Sequence, residues 1–287
     1  MRFTIAAALA GAAFIAATPA MAQDVPEDAP FNGVYVGGSF GYDVQPNDVG
    51  SRVLFDRGID GRFGDTVTTA AGANAFGTPV GGFCNGSATA GTSPTSPTAP
   101  ARCRNDKDGV AYYVRAGADS QFGNMVLGFV GEFGRSEIND STTAFSTTPA
   151  SYTMYRDIDW EASIRGRVGY AAGTTLFYAA GGPGYAKIDR RFTTTNTANA
   201  FSERGRRTQF GITGGGGIEQ KLGRNFSVGM EYMYHQYDDN DYRVRATQGT
   251  APATNPFVLG TTAGTDFRRT DTKFRWHSLR ATAAFRF

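Results

Sequence analysis

The closing stretch Lys273-Phe274-Arg275-Trp276-His277-Ser278-Leu279-Arg280-Ala281-Thr282-Ala283-Ala284-Phe285-Arg286-Phe287 decides how the chain is to be read. Leu279, Ala281, Ala283, Phe285 and Phe287 fall on every second position, and Trp276, Ser278, Arg280, Thr282, Ala284 and Arg286 fill the alternate set. Successive side chains of a β-strand point to opposite faces, so this segment has one apolar face and one carrying charge. The first face suits lipid and the second a polar lumen.

Working outward, the same period recurs. Phe226, Val228, Met230, Tyr232 and Tyr234 alternate with Ser227, Gly229, Glu231, Met233 and His235, and Ile158, Trp160, Ala162, Ile164 and Val168 alternate with Asp159, Glu161, Ser163, Arg165 and Arg167. Eight such runs are expected, at 33–43, 110–119, 124–135, 157–170, 174–188, 207–222, 226–238 and 273–287, each long enough for a tilted strand to cross a bilayer. The links at 44–109, 136–156, 189–206 and 239–272 are long, while the three between them are tight turns. That asymmetry predicts an all-β, up-and-down antiparallel transmembrane barrel, with short turns and both termini in the periplasm and four long loops outside. Val53-Leu54-Phe55 and Arg62-Phe63-Gly64 could add a hairpin, which keeps ten strands as an alternative count. Aromatics near the strand ends, Tyr42, Tyr112, Trp160, Tyr170, Phe226 and Phe287, are expected to form two interfacial girdles.

Residues 1–22 carry one early positive charge, an alanine-rich apolar run and a small-residue site at Ala20-Met21-Ala22, which reads as a secretory signal cleaved after Ala22. Residues 23–32 would then be a short periplasmic segment and 33–287 the barrel, with its long loop at 44–109. No other run approaches the roughly 20 apolar residues of a membrane helix, a test to which barrels are blind. The 38 Gly, 13 Tyr and 22 Phe suit such a barrel, and a formal charge of +2 offers no field for nucleic acid. After export, Cys84 and Cys103 are expected to close a disulfide inside loop 44–109. With only His235 and His277 beside them they make a poor metal set, and no cofactor is expected. The Thr95-Ser96-Pro97-Thr98-Ala99-Pro100 piece cannot build a core, so this loop is expected to be solvated.

At Asp159-Trp160, Ser163-Ile164-Arg165-Gly166-Arg167-Val168-Gly169-Tyr170-Ala171 and Leu176-Phe177-Tyr178-Ala179-Ala180-Gly181-Gly182, the chain resembles the outer-membrane-protein β-barrel family, the porin-family group of small surface antigens of alphaproteobacteria. Phe31-Asn32-Gly33-Val34-Tyr35-Val36-Gly37-Gly38 and 279–287 carry the same resemblance. It implies an eight-stranded barrel with a structural or surface role in the outer membrane and no catalytic residues to transfer. Loop 44–109 and its cysteines depart from the pattern.

Parity places Arg115, Glu132, Asp159, Glu161, Arg165, Arg167, Glu219, Glu231 and Arg280 in the lumen, where a barrel of this size leaves room only for paired side chains. Lys273 and Arg275, with Arg206 and Arg156, are the candidate contacts to lipopolysaccharide phosphates. Phe285 and Phe287 resemble the last-strand signal read by outer-membrane assembly machinery, whose periplasmic chaperones would be further partners. Arg190, Arg191, Arg204, Arg206 and Arg207 make the third long loop basic, Asp238, Asp239 and Asp241 make the start of the fourth acidic, and the two are expected to pair. His277 and the adjacent Ser278 face opposite sides of one strand, so an enzyme is not expected. The expected function is a monomeric structural barrel that supports the envelope and displays its loops. A narrow channel for small solutes and a surface adhesin or ligand binder acting through loop 44–109 are the alternatives.

Overall fold

The computed structural model describes residues 29–46, 51–77, 81–88, 103–148, 150–261 and 263–287, except the side chains of Ala88 and Cys103. Eight strands close one ring: β1 (Gly33–Val44), β2 (Gly109–Phe122), β3 (Met125–Ser136), β4 (Ala150–Ala172), β5 (Thr175–Thr194), β6 (Thr208–Lys221), β7 (Phe226–Asp238) and β8 (Lys273–Arg286). Each pairs antiparallel with its sequence neighbours, and β8 pairs with both β7 and β1, so the ring has no free edge. Closure satisfies every ladder group internally, which hydrocarbon requires of a spanning sheet. The alternative count of ten is thereby corrected to eight.

The periods read from the sequence hold in β7 and β8. Phe40, Val114, Phe129, Ile164, Met230 and Leu279 face outward and are exposed, while Tyr35, Arg115, Glu132, Arg165, Glu231 and Arg280 face inward and are buried. Phe133, Trp160 and Tyr185 stand side by side on the outer surface, with neighbouring centroids 6.0 Å apart, as part of one girdle. The other includes Tyr170, Phe226, Phe285 and Phe287. Glycines make room for inward tyrosines: a Cβ on Gly184 would strike the Tyr237 hydroxyl, and one on Gly217 would lie 2.9 Å from that of Tyr178.

β4 and β5 run past the length a bilayer needs and rise above the barrel. There Asn139–Ser146 pairs with β4, and Gly82–Asn85 pairs with Asn139–Ser146. Facing them is a second sheet of four short strands in the order Ala200–Arg204, Arg243–Thr247, Thr265–Arg269 and Val53–Asp56. These segments adjoin β6, β7, β8 and β1, so the second sheet continues that wall of the barrel upward. Between the sheets, Val53, Phe55, Phe76, Tyr152, Met154, Val244, Phe257 and Phe267 form one buried cluster. Its rings are in mutual contact, with Phe55 to Phe76 at 4.4 Å and Phe257 to Phe267 at 5.1 Å. The solvated loop expected at 44–109 is therefore corrected over its described part. The Gly64 amide donates to the Phe55 carbonyl at 2.9 Å, but the strand partner of Val53–Asp56 is Thr265–Arg269, where Phe267 joins Phe76 of the same loop in covering Phe55. The Thr95–Pro100 piece and the signal segment with Ala22 lie outside the described residues.

Asp106 ties the returning arm of this loop to the cap, accepting hydrogen bonds from the Ser141 amide at 2.8 Å and hydroxyl at 3.3 Å. Burial, reinforced by nearby Asp140, pushes its carboxyl up to about 6 against the opposing Ser141 hydrogen bonds. A folded value above the unfolded one favours the protonated form, so this contribution to stability is full below about pH 4 and fades as pH rises through about 6. Amide protection across 104–109, corrected for the intrinsic pH dependence of exchange, should fall between those pH values, and Asp106→Asn should remove that fall. Phe267→Ala should cost the cap about 3 to 5 kcal/mol. Limited proteolysis should then cut the loops while the folded barrel keeps its heat-modifiable gel mobility.

Candidate functional site

Inside the ring, the charged side chains stack in layers. Nearest the periplasmic end, Arg167 donates to Asp119 at 2.7 Å and to Glu219, while Arg286 donates to Asp119 at 2.8 Å and to Glu219 at 2.9 Å. Arg286 also reaches the Phe31 carbonyl at 3.2 Å, and the Phe31 ring is fully buried with Val126 and Leu176 beneath this layer. In the middle, Arg165 meets Glu132 at 2.5 Å and Glu231 at 3.6 Å, Arg115 meets the same two carboxylates at 3.6 and 3.3 Å, and Tyr178 donates to Glu231 at 2.8 Å. Arg280 bridges upward, 3.2 Å from Glu132, 2.7 Å from His235 Nε2 and 4.0 Å above the Tyr113 ring. His235 Nδ1 lies 2.7 Å from Glu161, whose carboxylate also accepts from Tyr237 at 2.8 Å and Tyr113 at 3.0 Å. An arginine can only donate, so Nε2 accepts and Nδ1–H donates to Glu161.

Above these layers the mouth is filled by Ile138, Ile158, Ile188, Tyr237, Phe274 and Trp276. Trp276 stacks on His235 with centroids 4.8 Å apart and rings 3° from parallel. Over that apolar layer sits a second knot of charge. Arg156 contacts Asp140 at 2.5 Å, Asp239 at 3.0 Å and Asp271 at 3.1 Å, Arg190 contacts Asp239 at 2.6 Å, and Arg269 contacts Asp140. It ties β4, β5 and two loops together beneath the cap.

Eight of the nine residues assigned to the lumen from sequence lie there: Arg115, Glu132, Glu161, Arg165, Arg167, Glu219, Glu231 and Arg280. Asp159 does not. The β4–β5 register shifts between Lys187 and Ile188, pairing Lys187 with Trp160 and Ile188 with Ile158. The unpaired residue of this bulge is Asp159, which turns outward to Lys187 at 2.5 Å and Arg135 at 3.9 Å. An extra residue reverses parity beyond it. Ile158, expected to meet lipid, is buried in the mouth instead, and Arg156 is buried in the upper knot rather than free for headgroups. Lys273 is paired with Asp238, and Arg275 donates to Gln236 at 3.0 Å on the outer surface. Arg206 stays exposed, its amide bonded to Asp241 at 2.9 Å. The opposed loops do pair, Arg190 lying 3.4 Å from Asp241 and Arg204 contacting Asp266 further along the same acidic loop, while Arg207 turns to Asp189 at 3.8 Å and Asp238 to Lys273. Sequence reasoning left Asp119, Arg286 and His235 out of the network, although each has the parity of an assigned neighbour: Arg115, Arg280 and Glu231. Among the described residues no group of three or more His, Cys, Asp or Glu could hold a metal.

A closed eight-stranded ring, girdled outside and packed with paired charge inside, defines an outer-membrane β-barrel protein. The family model for the outer membrane protein beta-barrel domain matches residues 7–251, and the chain belongs to that family. It is similar to the 31 kDa outer-membrane immunogenic protein of Brucella melitensis, 30% identical over 123 residues that make up 42% of this chain and 51% of that one. The 22 kDa outer membrane protein of Rhizobium leguminosarum bv. viciae is 31% identical over 29% of this chain and 36% of its own. The chain thus spans about half or less of the curated relatives it matches. Among solved structures, Ail, the attachment invasion locus protein of Yersinia pestis, aligns with a TM-score of 0.31 at 10% identity, over 89% of this chain and 99% of that one. The protein resides in the outer membrane, with loops outside and termini in the periplasm.

Glu132 is approached by three arginines, so removing its carboxylate strands buried positive charge. Glu132→Ala should destabilise the barrel by about 3 to 5 kcal/mol, and pairing it with Arg165→Met should recover part of that loss. Urea unfolding of the refolded protein measures both.

Proposed function

We propose that the protein is a sealed structural barrel that supports the envelope and holds a packed cap at the cell surface. The observation that carries this reading is the filling of the bore from end to end. Phe31 and its apolar neighbours, two layers of paired charge, the Trp276 layer and the Arg156 knot follow one another along the axis. Buried pairs of this kind move only at the cost of exposing uncompensated charge, which opposes a water path.

A second reading, a surface binder, is favoured by one specific observation: the cap has its own aromatic core and so holds its outer face in a fixed shape. Within it, Cys84 lies on Gly82–Asn85, and the Cys103 backbone pairs with Ala88. A disulfide between them would staple the segment that pairs with Asn139–Ser146. The outward Phe285 and Phe287 at the end of β8 suit recognition by the assembly machinery as that strand is presented. Cleavage after Ala22 and chaperone escort through the periplasm complete the expected route.

The test is single-channel recording of the refolded chain, from Gln23 onward, in a planar bilayer. The sealed reading expects a silent bilayer from protein whose heat-modifiable mobility shows it to be folded. Reproducible conductance steps would overturn it in favour of a channel.

A further inference from the structure

The outward face of the cap sheet carries an arrangement that its packing does not require. Arg204 sits directly opposite Arg243, and one step beyond the pair of Val244 with Phe267 the register brings Arg243 beside Arg268. Three arginines therefore form a row across three adjacent strands, although like charges directly opposite one another destabilise a sheet. Their neutralisation is incomplete. Arg204 shares the single carboxylate of Asp266 with Arg245, which contacts it at 2.7 Å. Among the described residues Arg243 and Arg268 have no carboxylate partner, and the Nε of each is shielded from solvent with no hydrogen-bond partner. What holds them is Phe63, whose ring centroid lies 5.0 Å from the Arg243 guanidinium and 4.3 Å from that of Arg268. An aromatic face positions a cation without neutralising it. The row is thus preorganised and short of anionic charge.

Its place in the molecule selects the anion. The sheet continues the wall of β6, β7, β8 and β1, so its outer face looks sideways over the membrane rather than into the cap. Arg204 precedes β6 by four residues, while Arg243 follows β7 and Arg268 precedes β8 by five. At roughly 3.3 Å per residue, no more than about 17 Å of chain separates the row from the strand ends. Below it the outward Tyr185, Phe210, Tyr232 and Tyr112 mark the edge of the hydrocarbon. The row stands where acyl chains have ended and the sugars of the outer leaflet begin.

We infer that Arg204, Arg243 and Arg268 form a binding site for the oxyanions, phosphate or carboxylate, on the inner sugars that lie beyond lipid A in the outer-leaflet lipopolysaccharide. Guanidinium forks suit such groups, which they can engage through two parallel hydrogen bonds. The surrounding leaflet presents them at a permanently high local concentration. The site replaces the set expected from sequence, in which Arg156 is buried and Lys273 is already paired. It deepens the envelope role proposed above and rests on it, but it is read out independently of conductance.

The experiment compares the refolded chain with an R204Q/R243Q/R268Q variant for binding three probes in detergent: lipopolysaccharide with its inner sugars, lipid A alone and a soluble sulfated polysaccharide. Heat-modifiable mobility and a silent planar bilayer are checked for both proteins, so that failure of the site and failure of the sealed-barrel reading are told apart. The variant is expected to bind intact lipopolysaccharide roughly tenfold or more weakly, as loss of charge-assisted hydrogen bonds implies. The corresponding triple lysine variant should keep part of the affinity, and lipid A should bind all three proteins alike. Equal binding of intact lipopolysaccharide by the folded glutamine variant would overturn the proposal. A deficit of the same size on lipid A would overturn the placement of the site at the sugars. Binding of the soluble polymer without binding of lipopolysaccharide would overturn the choice of ligand.

Discussion

A ring of eight strands encloses a bore only wide enough for its own side chains, and this limit governs what every inward position can be. Charge can enter only if it is neutralised at once by a neighbour, because too little room is left for water to do so. Arg165 and Glu132, Arg167 and Glu219, and Arg280 with His235 and Glu161 are the local answers. Bulk is rationed in the same way. Tyr237 and Tyr178 fit because Gly184 and Gly217 stand beside them and give up their side-chain volume. On the other side of the same backbone no such economy applies, and the outward positions carry whatever hydrocarbon accepts.

The interior then acts as a set of crossbars. Each buried arginine spans from its own strand to carboxylates on others: Arg167 of β4 reaches β2 and β6, and Arg280 of β8 reaches β3. Fixing the ring at several heights gives a stiff base for a superstructure. Because β4 and β5 pass from bore to cap without a break, the cap inherits its position from the lumen through continuous backbone rather than through a hinge.

The strands were legible because their signal is local. A period of two declares itself within a dozen residues, and the parity of β7 and β8 is as read. Where the reading failed, the cause was a single residue or a distant partner. Asp159 bulges out of β4, and everything before it changes side, which carried Ile158 into the mouth and Arg156 into the upper knot. Nothing within 157–170 announces that event, since the register slip is set by the β5 partner strand. The cap was invisible for the second reason. Val53-Leu54-Phe55 shows β-forming residues, yet its partner Thr265–Arg269 lies near the other end of the chain, and no local pattern links them. The Arg204, Arg243 and Arg268 row escaped for the same reason, being assembled from two different loops.

The cap sheet also bears on how the molecule reaches its final form. Its strands stand in the order of the wall below them, and the contact between Val53–Asp56 and Thr265–Arg269 lies directly above the seam where β1 meets β8. The two contacts span the chain alike, the seam joining Tyr35 to Arg286 and the cap joining Asp56 to Asp266, so closing either one brings the partners of the other together. A ring shut two residues out of register at that seam would also slide Phe55 away from Phe267 and leave the cluster open. The cap core and the seam therefore share one register: the rings of the cluster are covered when β1 and β8 stand in their observed alignment.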